Sequence, residues 1–198
     1  VLSPAVRFEE GLFRRTGPYM YLDLDRGRNL LLPFEPDHTI QYNALYGGDP
    51  IQDLVPPGPN DPSRLALGSS RVAAFAREQL AGIDPVAEPE RAAKRLESVL
   101  ETRFAYSMVL AKNGPNPVEE FLFQRKSGTC ESFASAMAMA LREVGIPTRF
   151  VTGFMGGERG LLGRYVIVRG TNAHAWVEAW CGPERGWVTF DPTPAVGR

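Results

Sequence analysis

The chain is poor in the residues that carry most covalent and metal chemistry, with only two cysteines and two histidines in 198 residues. Cys130 and Cys181 could make one disulfide at most, too few to frame a chain of this length. No second Cys or His lies at a CxxC-like interval, and no carboxylate cluster has calcium-loop spacing, so neither a metal nor a cofactor is expected. An excess of one charge is also missing. The 22 basic and 23 acidic residues are interspersed and leave a net charge of −1, which excludes a nucleic-acid footprint or a basic membrane patch. Long hydrophobic runs are absent too. The longest nearly apolar stretch, Phe133 to Leu141, falls far short of the roughly 20 residues a spanning helix needs. The chain opens at Val1 with no signal-peptide pattern, so it reads as an excised domain, any targeting segment lying outside it. There is no internal repeat.

What is present divides into a β-prone start, a proline-rich stretch and a helix-then-strand remainder. Residues 19–24 and 30–32 read as strands around a turn at residues 25–29. Pro50, Pro56, Pro57, Pro59 and Pro62 exclude a helix or a central strand between Gly47 and Pro62, which leaves an extended connector. Beyond it, Ser69 or Ser70 can cap a helix with Val72, Phe75, Ala76 and Leu80 on one face, ending at Gly82. Pro89 suits a first helical position, followed by Ala92, Leu96, Val99, Leu100 and Phe104 at helical spacing. Asn116-Pro117-Val118-Glu119 reads as an N-cap, a first-turn proline and a capping-box acid. A helix starting near Cys130 carries Ala134, Met137, Leu141 and Val144 in one stripe and stops at Gly145-Ile146-Pro147. Strands follow at residues 150–154, 165–169, 173–181 and 187–190. Helices followed by an antiparallel meander predict an α+β fold.

The chemistry concentrates in three places. Cys130 opens a helix, where free N–H groups and the helix dipole favour an anion such as a thiolate. Glu131 opposes this as a neighbouring negative charge, although successive helical side chains diverge by about 100°. A lone cysteine is more often a small buried packing residue; Gly128 before it and Ala134, Ser135 and Ala136 after it argue instead for a helix start pressed against a strand. His174 begins a strand with Trp176, Glu178 and Trp180 on its own face and Ala175, Val177, Ala179 and Cys181 on the other. Cys181 therefore faces away from the histidine and reads as packing. Asp191 ends the returning strand. With a two-residue loop at Gly182-Pro183, paired positions sum to 365 and Asp191 stands directly opposite His174, with Cβ atoms about 5 Å apart. An odd loop would bring Phe190 there instead and demand a bulge. Thiol, imidazole and carboxylate in that order supply a nucleophile, its base and an orienter. Tyr106 could lend a hydroxyl, but a half-buried aromatic after a helix is the plainer reading. Trp176 and Trp187 read as walls or core, Glu178 as an exposed acid or ion-pair partner, and His38 has no assigned role.

Gly128-Thr129-Cys130-Glu131-Ser132-Phe133-Ala134, Ala140 to Arg149 with Val151 to Phe154, Ala173 to Glu178, and Gly186-Trp187-Val188 with Phe190-Asp191-Pro192-Thr193 together resemble the transglutaminase-like superfamily. The likeness is to its bacterial TgpA type, and Pro117 to Phe123 fits the stretch that precedes the cysteine motif there. It covers the chain from about Ser69 onward. It implies a papain-like α+β core of helices on an antiparallel sheet at residues 63–198, preceded by a β-rich extension and connector at residues 1–62. It implies a Cys130–His174–Asp191 triad that transfers an acyl group from a glutamine side chain, through a thioester, to an amine or water. The expected partners are a glutamine-bearing protein or peptide and an amine acceptor. The expected setting is the outer side of a bacterial inner membrane, the tether being supplied by segments outside this chain. Two further readings stand beside it: a cysteine peptidase or amidase acting on peptides or cell-wall stems, and a non-catalytic binding module on the same fold. Asn172 departs from the pattern, which has an acid shortly before the histidine.

Overall fold

The computed structural model describes residues 54–66, 68–109, 114–159 and 166–195, together with the backbone of strands at 6–14, 23–24, 30–31 and 41–46. Its contacts divide the chain into Val1–Ile51 and Gln52–Arg198. In the first unit β1 (Val6–Arg14) pairs antiparallel with β4 (Gln41–Tyr46), with a break in register between Phe8 and Phe13. There β2 (Asp23–Leu24) also pairs with β3 (Leu30–Leu31). The remainder of the two expected strands, the turn between them and His38 lie outside the described residues.

Among the described residues the second unit sets four α-helices with a three-stranded antiparallel sheet. Helix α1 (Ser70–Gln79) starts where Ser69 Oγ accepts from the Val72 N–H at 3.2 Å, as its capping residue predicts. It ends three residues before the expected Gly82. Helix α2 (Pro89–Arg103) buries Ala92, Leu96, Val99 and Leu100 of the expected stripe together with Ala93, while Phe104 follows as its half-buried C-cap. A two-residue strand β5 (Ala105–Tyr106) follows and pairs in parallel with β6 (Ser127–Gly128). Between them α3 (Pro117–Glu120) runs into a π turn over Phe121–Arg125, which buries Phe121 and Leu122. The capping box does not form. Asn116 makes no side-chain cap bond, and Glu119 instead accepts from Ser69 Oγ at 2.8 Å and pairs with Arg71 at 3.0 Å, tying α3 to α1.

Helix α4 (Cys130–Glu143) is the centre of this unit, burying Phe133, Ala134, Ala136, Met137, Ala138, Ala140 and Leu141. Its small side chains let it approach the sheet closely. It stops at Gly145, whose φ of +88° suits glycine alone. There the Gly145 N–H donates to Arg142 O and the Ile146 N–H to Leu141 O, both at 3.0 Å, the bonding of a Schellman turn.

The sheet order is β11 (Trp187–Phe190), β10 (Ala173–Trp180), β7 (Thr148–Phe154). Ala175, Val177, Ala179 and Cys181 face α4, as their alternation predicts. Two expectations fail. The strand expected at residues 165–169 does not join the sheet; β9 (Val166–Ile167) forms a separate ribbon with β8 (Glu158–Arg159), because β7 pairs directly with β10 and leaves no place between them. The β10–β11 hairpin pairs Trp180 with Trp187 and Val177 with Phe190, a sum of 367 rather than 365. Cys181 N–H donates to Gly186 O at 2.9 Å, so the loop holds four residues, Gly182 to Arg185.

Candidate active site

Cys130 is the first residue of α4, and Thr129 caps that helix without a side-chain bond. The cap carbonyl accepts from Ser132 N at 2.9 Å and Phe133 N at 3.2 Å. Among the described residues nothing accepts from the Cys130 N–H. The thiol is half-buried, whereas Glu131 is exposed. Gly128 is what allows the helix start to sit here. A Cβ at that position would lie 2.7 Å from Ser132 Cβ and 3.2 Å from the Phe121 ring.

His174 is buried, and its Nε2 lies 2.9 Å from Asp191 Oδ2. A carboxylate can only accept, so Nε2 carries the proton and Nδ1 of the neutral ring is the basic nitrogen. The two-residue shift in hairpin register keeps Asp191 on the face of His174 but moves it from the opposite to the diagonal position, still within reach of an imidazole. Asp191 Oδ1 accepts from Thr193 N at 3.0 Å, and the Asp191 N–H donates to Glu97 Oε1 at 2.8 Å. Nothing in the sequence marks Glu97. Its acceptor role depends on α2 crossing the end of β11, a contact between residues far apart in the chain.

Strand direction sets Cys130 and His174 at the same end of the layers. At their far ends α4 and the sheet are joined twice: Arg142 donates to Thr148 O at 2.8 and 2.6 Å, and Trp180 N donates to Pro147 O at 2.9 Å. From that junction β7 turns back along α4, and β10 runs antiparallel to β7, hence alongside α4 in the same direction. Both α4 and the His174–Trp180 stretch extend about 20 Å, so the starts that carry Cys130 and His174 lie at one end of the layer pair. No hydrogen bond joins the two side chains among the described residues, and such bonds are often long before substrate arrives.

Trp176 lies nearly parallel to the His174 ring, with centroids 6.3 Å apart and planes at 19°. It covers Gly153, whose Cβ would meet the indole at 2.7 Å. Trp187 is buried and donates to Val55 O at 3.0 Å, with Arg149 over its ring at 3.7 Å. Glu178 pairs with Arg149 at 3.5 Å. Asn172 takes a structural place: its Oδ1 accepts from the Arg169 N–H and its carbonyl from Met155 N, both at 2.8 Å. Cys181 packs in the core, where burial pushes its thiol up to about 12. Tyr106 is half-buried, and its hydroxyl lies 2.9 Å from Met108 Sδ. Burial raises its phenol above the usual range, and the charge of Cys130 raises it further.

Comparison with known proteins bears on the family and the fold. The family model described as the transglutaminase-like superfamily matches residues 73–192, a span that includes Cys130, His174 and Asp191. A protein-glutamine gamma-glutamyltransferase of Pseudomonas aeruginosa is 47% identical over 93 residues, 47% of this chain and 14% of that protein. YebA of Bacillus subtilis is 44% identical over 91 residues, 44% of this chain and 12% of its own length. The chain thus spans a small part of these relatives. Among solved structures, the periplasmic domain of TgpA from Pseudomonas aeruginosa is 38% identical with a TM-score of 0.58, covering 66% of this chain and 46% of that one. The same domain bound to ethylmercury gives 40% and 0.55, covering 62% of this chain and 43% of that one. A cysteine-protease-like protein from Cytophaga hutchinsonii, 20% identical with a TM-score of 0.50 over 67% of this chain and 41% of that one, shares the fold. With more than half of its length matched by the family model and the α+β layering in place, the chain belongs to the transglutaminase-like superfamily.

Proposed function

We propose that this domain performs cysteine-dependent acyl transfer from a glutamine side chain, and that it works on the extracytoplasmic side of a bacterial membrane. The observation that carries the chemistry is the buried His174–Asp191 hydrogen bond at 2.9 Å, at the same end of the layers as the Cys130 helix start. The setting rests on the relatives, whose solved structures are of a periplasmic domain; no described helix is long and apolar enough to cross a membrane.

In this reading His174 Nδ1 takes the Cys130 proton, and Asp191 holds the ring in the tautomer that leaves Nδ1 free and stabilises the imidazolium. The thiolate attacks the γ-carboxamide carbon, a carbon–sulfur bond forms, and the oxyanion is met by the Cys130 N–H. The imidazolium then gives its proton to the departing ammonia as the carbon–nitrogen bond breaks, leaving a thioester. An incoming amine, deprotonated by the same ring, attacks the thioester and releases the thiolate. Water in its place gives the carboxylic acid.

Mass spectrometry after incubation with a glutamine peptide tests this. The expected adduct is protein plus peptide less ammonia, mapped to Cys130. In Cys130→Ala the adduct disappears and ammonia release falls by roughly 10³-fold or more. Cleavage of the peptide backbone without ammonia release would favour a peptidase, and an inert wild-type thiol would favour a binding module.

A further inference from the structure

We propose that the free edge of β7 docks the acyl-donor polypeptide, which adds to the sheet there as an extended, uncharged strand with apolar side chains at alternate positions. The proposal rests on the acyl-transfer reading of the same site and names the kind of chain that brings the glutamine.

The edge is defined by the bonding on its opposite side. Trp180 N donates to Pro147 O at 2.9 Å and Met155 N to Asn172 O at 2.8 Å. Both pairs continue the β7–β10 register, in which His174 stands across from Gly153. Bonded and non-bonded positions alternate along an antiparallel ladder, so the odd-numbered residues of β7 turn their main-chain groups toward β10. Thr148, Phe150, Thr152 and Phe154 turn theirs outward, where the sheet has no further strand among the described residues. Arg142 takes Thr148 O at 2.8 and 2.6 Å. Among the described residues nothing bonds the outward N–H and C=O groups of Phe150, Thr152 and Phe154. These stand two residues apart, the spacing at which an added strand bonds.

The side chains of the same residues suit an apolar partner. Directly opposed residues share a face, so Phe150, Thr152 and Phe154 follow Val177, Ala175 and Ala173 onto the side of the sheet that meets α4. They overhang the helix: Phe150 is 40% and Phe154 62% exposed, and Thr152 is exposed as well. Edge strands are ordinarily blunted by proline, bulges or charge. β7 has no proline, its register is unbroken, and its one charged residue, Arg149, lies on the other face in a pair with Glu178 at 3.5 Å. Open main-chain groups of this kind are met by the main chain of another extended segment, with pockets and rings along the rim selecting its alternate side chains.

Position identifies the occupant. Phe154 pairs with Ala173, next to His174, at the end of the layers where α4 begins with Cys130. A strand added about 4.8 Å outside β7 turns the side chain paired with Phe154 onto the α4 face, so a glutamine there projects toward the end of the helix that carries the thiol. A second copy of the chain paired through the same edge would bring no glutamine, since β7 contains none.

The test uses a fluorescently labelled peptide with a central glutamine between alternating valine and threonine. Its anisotropy is followed on Cys130→Ala, which binds without turnover, and on the same protein carrying Thr152→Pro. The proline removes one outward N–H and sets its ring on the edge, leaving the β10 side bonded. The dissociation constant should rise about tenfold, the effect of losing a peptide hydrogen bond and crowding its neighbour. With the thiol restored, Thr152→Pro should raise KM for ammonia release from the peptide by about the same factor, with kcat within about twofold. Equal affinity of the two proteins overturns the proposal, as does a peptide that binds neither. A matching fall in the alkylation of Cys130 by iodoacetamide also overturns it, since the substitution would then be acting on the site itself. So does a wild-type dimer in sedimentation that Thr152→Pro separates without changing peptide affinity, which assigns the edge to a second copy. Should Thr152→Pro fail to fold, the exposed substitution Phe150→Lys must weaken the same peptide, and N-methylation of the peptide amides one at a time must weaken binding at alternate amides only. Equal effects at every amide, or no effect of Phe150→Lys, refute the docking. Edge-dependent binding without ammonia release defeats the glutamine reading alone, and ammonia release without edge dependence defeats the docking alone.

Discussion

Gly128→Ala is the sharpest test of how this fold delivers its cysteine. The added methyl would meet Ser132 Oγ at 2.6 Å, Ser132 Cβ at 2.7 Å and the Phe121 ring at 3.2 Å, where carbon–carbon contacts prefer about 3.5–4.0 Å. Relief requires the first turn of α4 to withdraw by roughly 1 Å. Phe121 cannot yield instead, because it stacks on Phe104 at 5.0 Å and abuts Phe133 at 4.9 Å. The backbone itself tolerates alanine here, since Gly128 has no positive φ. Overpacking of this kind costs about 1–3 kcal/mol. With a urea m-value near 2 kcal/mol/M, the unfolding midpoint should fall by roughly 1 M. Acylation of Cys130 should fall more steeply than stability, because a shift of about 1 Å at a reacting atom can cost about 100-fold. Ser132→Gly removes two of the three contacts, so the alanine should cost at least about 1 kcal/mol less in that background. A Gly128→Ala protein with an unchanged midpoint and unchanged turnover would show that the close approach of α4 to β6 is not what locates the nucleophile.

Two further expectations come from the surroundings of the site. Native protein near neutral pH should be alkylated by iodoacetamide at Cys130 alone, because burial pushes the Cys181 thiol up to about 12; denatured protein should take up two labels. Since that folded value lies above the ordinary thiol range of about 8.5, the stability linked to Cys181 is complete below that range and drains away as pH rises toward 12, a slope that Cys181→Ala should remove. Equal native labelling of both cysteines would contradict the buried placement. Glu97→Ala should lower stability by about 1–2 kcal/mol and slow acylation, because the Asp191 N–H loses a charged acceptor just past the end of the sheet ladder. Glu97→Gln, which keeps an acceptor oxygen, should recover most of both, and denaturant curves with matched turnover assays distinguish the two variants.

How much of this was legible depends on whether the signal was local. Each long helix carried its own start or stop: Ser69 for α1, Pro89 for α2, Gly145 for α4. Strand β10 announced its two faces by strict alternation, small apolar residues against His174, Trp176 and Glu178. Register was less legible, because Gly182, Pro183 and Gly186 all favour turns and the sequence does not choose between loops of two and four residues. The error mattered little, for a slip of two residues preserves side-chain parity, and Asp191 Oδ2 still reaches His174 Nε2 at 2.9 Å. A slip of one would have turned the carboxylate to the other face. The strand reading at residues 165–169 misled for the opposite reason: a β-prone run says that a segment can pair, not which partner is vacant, and β7 had already taken the edge of β10. Glu97 was invisible because its partner is a backbone amide in an element 94 residues away. The amide has left the ladder, since the β10–β11 pairing ends at Phe190, and a buried N–H without an acceptor would cost more than the helix loses by turning one carboxylate inward. The need for Glu97 arises only when α2 lies across the last residue of β11. The side chains of the candidate site were thus readable from their own segments, whereas the group that steadies Asp191 could be found only from the packing of the folded chain.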